Sequence, residues 1–184
     1  MTRLVLVRHG RASGGWDDDV DPGLDDLGRA QAEAMADFVA PRGPLPILVS
    51  PLRRCRETAA PLERRWATVG TVDPAVAEIP SPPGVPLQER TTWLHAAMGG
   101  TWADLGAEYT RWCDSVVGRL LAIETDTVVV SHFVAINAAI GSATGSDQIV
   151  VAALDYCAQT VMDVVDGRLV LVEQGFEAPD TLVR

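Results

Sequence analysis

Two histidines of this sequence each lie at the end of a short apolar segment. His9 comes after Leu4–Val7 and Arg8, and His132 lies just beyond Asp126–Val130. Apolar segments of this length are typical of strands buried on both faces of a parallel sheet. Ligands of open α/β sheets bind at the carboxyl ends of the strands, so we expect both imidazoles at that edge. A neutral imidazole is a competent nucleophile, which makes His9 a candidate for covalent catalysis.

Arginines occur at the same predicted edge. Arg8 adjoins the first histidine, and a second cluster of Arg53, Arg54 and Arg56 follows the predicted strand Ile47–Val49 at the start of a helix. Helix N-termini favour anions, and the guanidinium fork suits phosphate oxygens. Phosphoryl transfer needs a nucleophile in line with the leaving oxygen and fixed donors for the equatorial oxygens. This set of residues therefore suits phosphoryl-transfer chemistry.

The overall composition limits the kinds of partner. The 184 residues carry a formal net charge of −10, which argues against binding nucleic acid or an anionic membrane. All 15 basic residues are arginine, and this excludes a P-loop lysine or a Schiff-base lysine. No segment approaches the roughly 20 apolar residues of a membrane span, and Met1–Gly10 lacks the features of a signal peptide. We therefore expect a cytoplasmic protein.

The sequence predicts neither a metal site nor a cofactor. Its three histidines lack the H-x-H or H-E-x-x-H spacing of zinc ligands. Cys55, Cys113 and Cys157 form no C-x-x-C pair, so a zinc ribbon or a disulfide framework is not expected. The acidic run Asp17–Asp19 is interpreted as a solvated loop.

Alternating strand and helix patterns predict the elements that position these groups. They indicate an α/β fold, a three-layer α/β/α sandwich with a mostly parallel mixed sheet, formed by residues 1–184 as a single domain. An Asp-Gly pair at 166–167 between two β-rich segments predicts a hairpin at one edge. The predicted strands are Leu4–Val7, Ile47–Val49, Val72–Ala77, Asp126–Val130, Val161–Val165 and Arg168–Glu173.

Helices are predicted between these strands. Asp25 is a candidate N-cap for the first of them. Its apolar residues at helical spacing are expected to face the sheet, and they are Leu27, Ala30, Ala34, Met35 and Phe38.

Four segments in order resemble the histidine phosphatase superfamily, in its phosphoglycerate-mutase-like branch. Leu4–Gly10 is similar to the strand that carries the nucleophile, and Pro22–Ala32 to the helix start that follows it. Ser50–Ala59 resembles the pattern Ser-x-Leu-x-Arg-Ala-x-x-Thr-Ala, and Val128–His132 resembles the strand before the second histidine. Arg-His-Gly alone would be a weak signal, whereas the ordered set is specific.

The resemblance implies a role for each residue. His9 would be phosphorylated on nitrogen, while Arg8, Arg54 and His132 would bind the phosphate oxygens. Glu78, which is placed after the third predicted strand, would protonate the leaving oxygen and later activate water. The implied partner is a small phosphorylated metabolite.

Some positions depart from the family pattern. Many members have an asparagine that touches phosphate where this chain has Gly15, and Ser13 is a candidate to replace that contact. The glycine that often follows the second histidine is Phe133 here. Asp104 and Glu89 remain alternatives to Glu78 as the proton donor.

The leading hypothesis is a cofactor-independent phosphatase that hydrolyses small phosphate monoesters through a phosphohistidine. Three alternatives stay open at this point. They are a phosphoglycerate mutase-type phosphoryl transfer, a protein phosphohistidine phosphatase and a non-catalytic phosphate-binding module.

Overall fold

A mixed β-sheet lies at the centre of the molecule. The computed structural model describes residues 1–15, 17 and 19–177, so Trp16, Asp18 and residues 178–184 lie outside the described part. Within it the sheet has six strands in the order β3-β2-β4-β1-β5-β6. The first four are mutually parallel, β5 is antiparallel to β1, and β6 is antiparallel to β5. The strands are β1 (Thr2–Arg8), β2 (Ile47–Val49), β3 (Thr71–Val72), β4 (Thr127–Ser131), β5 (Gln159–Val165) and β6 (Arg168–Glu173).

Helices cover both faces of this sheet. Val5 and Val7 of β1 pack on one face with residues of the first two helices, whereas Leu4 and Leu6 pack on the other face with the remaining long helices. Side chains of a strand alternate between the two faces of the sheet, so the apolar residues of β1 contribute to a hydrophobic core on each face. The three-layer α/β sandwich with a mostly parallel sheet is thus confirmed. The helices are α1 (Asp26–Val39), α2 (Arg53–Trp66), α3 (Arg90–Met98), α4 (Trp102–Leu105), α5 (Ala107–Leu121) and α6 (Phe133–Thr144).

No helix among residues 1–15, 17 and 19–177 is long and apolar enough to cross a membrane.

The N-cap of α1 is confirmed, but of the five residues predicted to face the sheet only Met35 is buried. Asp25 accepts a hydrogen bond of 2.7 Å from the backbone N–H of Gly28. Leu27 and Phe38 are 46% and 58% exposed. A Cβ at position 28 would lie 2.0 Å from the carbonyl oxygen of Arg11, so the glycine turns inward and the helix rotates with it. The face that is buried consists of Gly28, Ala32, Met35, Ala36 and Val39.

The third strand is shorter than predicted. It ends at Val72, and a 3₁₀ turn occupies Pro74–Val76. Pro74 has no N–H for a sheet, and the carboxylate of Asp73 accepts a 2.9 Å hydrogen bond from Ala75, which closes the turn. Val76 is still buried, so its apolar side chain supports the core from a turn instead of a strand.

The hairpin at the sheet edge is confirmed. Asp166 and Gly167 have φ angles of 50° and 73° between β5 and β6. Positive φ at both central positions is what a tight hairpin of this hand requires.

Candidate active site

The register of the central strands places the two histidines side by side. β1 and β4 are parallel, and their last paired residues are Arg8 and Ser131. The next residue on each strand is a histidine, and the ring centroids of His9 and His132 lie 5.2 Å apart with an interplanar angle of 65°. The backbone N–H of His9 donates to the carbonyl of Ser131 at 3.0 Å. The carboxyl edge of the sheet therefore presents both imidazoles together.

The hydrogen bonds of His9 define its tautomer. Its Nδ1 lies 2.8 Å from the carbonyl oxygen of Gly10, which can only accept, so Nδ1 carries the proton. Nε2 then holds a lone pair and accepts from Nε of Arg54 at 3.2 Å. Burial, with the charges of Arg54 and Arg8, lowers the pKa of His9 well below its ordinary value. His9 is thus a neutral imidazole with a nucleophilic nitrogen at neutral pH.

Gly10 ties the nucleophile to the helix that carries Arg54. Its N–H donates to the hydroxyl of Thr58 at 2.9 Å, and that hydroxyl donates to the carbonyl of Arg54 at 2.7 Å. A Cβ at Gly10 would lie 2.6 Å from the carbonyl oxygen of Gly28, so this close approach requires a glycine. The separation of His9 and Arg54 is therefore set by the Thr58 hydroxyl and by the close backbone approach of Gly10.

Arg8 is 1% exposed and packs against two aromatic rings. Its guanidinium carbon lies 4.8 Å from the ring centroid of Phe133 and 4.2 Å from that of Tyr156. One nitrogen, Nη1, donates to the carbonyl of Leu154 at 2.5 Å. Burial lowers the pKa of Arg8 from its ordinary value, but a guanidinium stays charged in proteins. Arg8 therefore supplies a fixed positive charge in the lining of the cleft.

Arg54 combines burial with an unused donor. The residue is 4% exposed, and its Nη1 atom has no hydrogen-bond partner among the described residues. A buried donor without an acceptor costs about 1–3 kcal/mol, so an oxygen anion at this place would relieve that cost. Arg53 and Arg56 are exposed, and Arg53 pairs with Glu57 at 2.7 Å. Of the three clustered arginines, Arg54 is thus the one inside the site.

His132 is fully buried behind His9. Its Nε2 lies 2.7 Å from the hydroxyl of Ser50, and that hydroxyl accepts a 3.4 Å bond from the N–H of Leu52. The hydroxyl of Ser50 thus engages Nε2, and the thiol of Cys55 lies 3.3 Å from the same nitrogen. Burial, followed by the charge of Arg54, lowers the pKa of His132 well below its ordinary value. His132 is thus a neutral imidazole at neutral pH.

The carboxyl group of Glu78 lies in the same pocket as His9. It accepts hydrogen bonds from the N–H groups of Ile79 at 3.0 Å and Val134 at 3.4 Å. Burial raises the pKa of Glu78, although these N–H groups and the charges of Arg54 and Arg8 oppose the rise. A carboxyl group with a raised pKa is suited to donate a proton near neutral pH.

The other carboxylates considered lie elsewhere. Asp104 accepts from the hydroxyl of Thr101 at 2.8 Å in the capping box of α4. Glu89 is exposed before α3, and neither residue lines the pocket. Ser13 is also exposed, and its backbone N–H donates to the carbonyl of Gly23 at 2.8 Å.

The pocket itself is a small cleft of about 30 Å³. Two of the residues that line it, Leu94 and Tyr156, lie outside the predicted motifs. The described residues that line the cleft are Arg8, His9, Ala12, Gly14, Gly15, Pro22, Arg54, Glu78, Leu94, Phe133 and Tyr156.

The part of the chain that the structure describes contains no group of three or more His, Cys, Asp or Glu side chains that could hold a metal ion. Cys55 lies 3.3 Å from Nε2 of His132, and burial raises the pKa of its thiol. Asp18, the middle of the acidic run, is outside the described residues.

This fold and this arrangement of histidines and arginines define a histidine phosphatase architecture. The family model of the histidine phosphatase superfamily, branch 1, matches residues 4–176. The chain therefore belongs to that superfamily.

Curated relatives match over a shorter stretch. A glucosyl-3-phosphoglycerate phosphatase of Mycolicibacterium vanbaalenii is 40% identical over 82 residues, which cover 42% of this chain and 36% of the relative. The enzyme of the same name from Mycobacterium tuberculosis is 39% identical over 80 residues, 41% of this chain and 36% of its own length. The match thus spans just over a third of the length of these relatives.

Solved structures match almost the whole fold. The mycobacterial glucosyl-3-phosphoglycerate phosphatase in complex with VO3 has a TM-score of 0.72 and 25% identity, covering 95% of this chain and 98% of that chain. A phosphoserine phosphatase mutant of Entamoeba histolytica, in complex with phosphoserine, has a TM-score of 0.74 and 21% identity over 95% and 96% of the two chains. The second likeness supports the fold alone.

Proposed function

We propose that this protein is a phosphatase that hydrolyses small phosphate monoesters through a phosphohistidine on His9, without a cofactor. One observation carries the proposal. The unprotonated Nε2 of His9 lies 3.2 Å from Nε of Arg54, whose Nη1 is buried without a partner among the described residues. A nucleophile and a donor set for an anion therefore face the same small cleft.

The first chemical step transfers the phosphoryl group to the protein. Nε2 of His9 attacks phosphorus, and the bond from phosphorus to the ester oxygen breaks. Arg8, Arg54 and His132 match the charge on the equatorial oxygens. The carbonyl of Gly10, 2.8 Å from Nδ1 of His9, stabilises the positive charge that grows on the imidazole. Glu78 gives its proton to the leaving oxygen.

The second step returns the protein to its starting state. The carboxylate of Glu78 takes a proton from water, and the hydroxide attacks phosphorus. The bond between phosphorus and Nε2 of His9 breaks, and inorganic phosphate leaves. Glu78 is then protonated again, so both proton transfers balance over the cycle.

The proposed substrate is a small phosphorylated metabolite. The cleft of about 30 Å³ admits the phosphoryl group with the part of the ester nearest to it. The two cores pack on opposite faces of a single sheet, and we propose that residues 1–184 act as one domain on this basis.

Trapping of the intermediate tests the proposal. Rapid quenching after mixing with a radiolabelled aryl phosphate should yield label on the protein that is lost in acid and kept in base. His9→Ala should abolish this label and lower turnover by several orders of magnitude. His95→Ala, which changes an exposed histidine of α3, serves as the matched control. Turnover near the wild-type rate in His9→Ala would refute the mechanism.

A further inference from the structure

The wall of the cleft beside the phosphate site is apolar and aromatic. Phe133 and Tyr156 both line it and pack against the guanidinium of Arg8, and Leu94 lines it from α3. Phe133 is the first residue of α6 and directly follows His132, so its ring takes space next to the phosphate site. The part of the ester nearest to the phosphate therefore meets rings and methyl groups.

The cationic side chains of the described cleft lining are those that the phosphoryl oxygens need. Arg8 and Arg54 are the only cationic residues among its described lining, and both are needed for the phosphoryl oxygens. Arg11 pairs with Asp25 at 2.6 Å, and Arg53 pairs with Glu57 at 2.7 Å. A second anionic group on the substrate would thus have no further cationic residue in the described lining to pair with.

The acidic group in the cleft acts against a substrate carboxylate as well. Glu78 lies in the same lining and becomes negatively charged once it has protonated the leaving oxygen. Two carboxylates that share a site repel each other, and one of them must then stay protonated. A carboxylate on the alcohol part would oppose the proton transfer that the reaction needs.

We propose that this site takes phosphate esters whose alcohol part is uncharged and largely apolar, aryl or alkyl, and that Phe133 determines this preference. This inference rests on the proposed phosphatase function. It separates the chain from its relatives, because glucosyl-3-phosphoglycerate and phosphoserine, in the names of those proteins, both carry a carboxylate.

Matched ester pairs test the inference in the wild-type protein. Glycerol 3-phosphate and 3-phosphoglycerate differ only at the carbon that bears the carboxylate. The kcat/KM of glycerol 3-phosphate should exceed that of 3-phosphoglycerate by at least about tenfold, and benzyl phosphate should exceed both, since apolar burial favours binding. Equal or higher kcat/KM for 3-phosphoglycerate would overturn the inference.

Binding without turnover separates this inference from the proposed function. In His9→Ala, calorimetry with the same three esters should give the same order of affinity. Absence of hydrolysis in the wild type with this order retained would refute the phosphatase and keep the preference. Hydrolysis in which the carboxylate-bearing ester binds most tightly would refute the preference and keep the phosphatase.

Two variants of Phe133 test whether this residue determines the preference for an apolar alcohol part. Phe133→Leu keeps an apolar wall and should keep the preference for benzyl over glycerol phosphate, whereas Phe133→Ser should reduce it by at least about threefold.

Arg90 has a buried Nε without a partner in the described part of the chain, and it lies one helical turn before Leu94. A preference for 3-phosphoglycerate that disappears in Arg90→Gln would show that Arg90 binds the carboxylate, and would overturn the inference.

Discussion

The hydroxyl of Ser50 lies 2.7 Å from Nε2 of His132 and holds that imidazole in place beside His9. Ser50 follows β2 and His132 follows β4, two neighbouring parallel strands. A residue outside the described cleft lining therefore orients the second imidazole.

Ser50→Ala should weaken phosphate and vanadate binding by about tenfold to a hundredfold, because a lost hydrogen bond to a charged group is worth about 1.5–3 kcal/mol. The ¹⁵N shifts of the His132 ring should change, because Nε2 loses its hydrogen-bond partner. Ser50→Thr keeps the hydroxyl and should keep both properties. Unchanged ring shifts and unchanged affinity in Ser50→Ala would contradict the assignment.

Glu78→Gln should slow the phosphorylation of His9 much more with alkyl than with aryl phosphates. An alkoxide needs a proton to leave, for which general acids contribute about 10²–10⁴-fold, whereas p-nitrophenolate leaves with little help. Rapid-mixing single turnovers isolate this step from the later activation of water. Asp104→Asn and Glu89→Gln are the controls and should behave as wild type. Equal losses on both substrate types would exclude Glu78 as the donor.

In the pH profile for an alkyl phosphate, the acidic limb should be shifted to lower pH and the basic limb to higher pH. The pKa of His9 is lowered well below its ordinary value, so the nucleophile stays unprotonated and activity persists below about pH 6.5. The pKa of Glu78 is raised, so its acid form survives to higher pH than usual and activity falls as pH rises through that pKa. The ratio of wild-type to Glu78→Gln rates cancels ionisation of the substrate. A ratio that does not vary with pH would count against this assignment.

Activity should not require a divalent cation. Arg8, Arg54 and His132 supply the donors for the phosphoryl oxygens in the proposed mechanism. Assays in excess chelator should give the full rate, and added magnesium, manganese or zinc should not raise it. Loss of activity in chelator with recovery on addition of one of these ions would identify a metal requirement.

Some of these features follow from local sequence, and others depend on tertiary contacts. The central strands and the hairpin were predictable, because long apolar runs and an Asp-Gly turn are strong local signals. The buried face of α1 was not predictable from local sequence, since it depends on the contact of Gly28 with the backbone of Arg11. Tyr156 contacts Arg8 from a loop that has no periodic pattern, so this contact could not be predicted from the residues next to Tyr156 in the sequence.

β1, the strand that precedes His9, is synthesised before both of the strands that flank it in the sheet. In the sheet β1 lies between β4 and β5, where Leu4 pairs with Thr127 and Val7 pairs with Gln159. A growing chain therefore exposes the apolar Leu4–Val7 until most of the protein has left the ribosome, and pairings so distant in sequence form slowly. Prematurely terminated chains that stop before β5 lack the strand that pairs with Val7, and we expect them to be inactive and prone to aggregation.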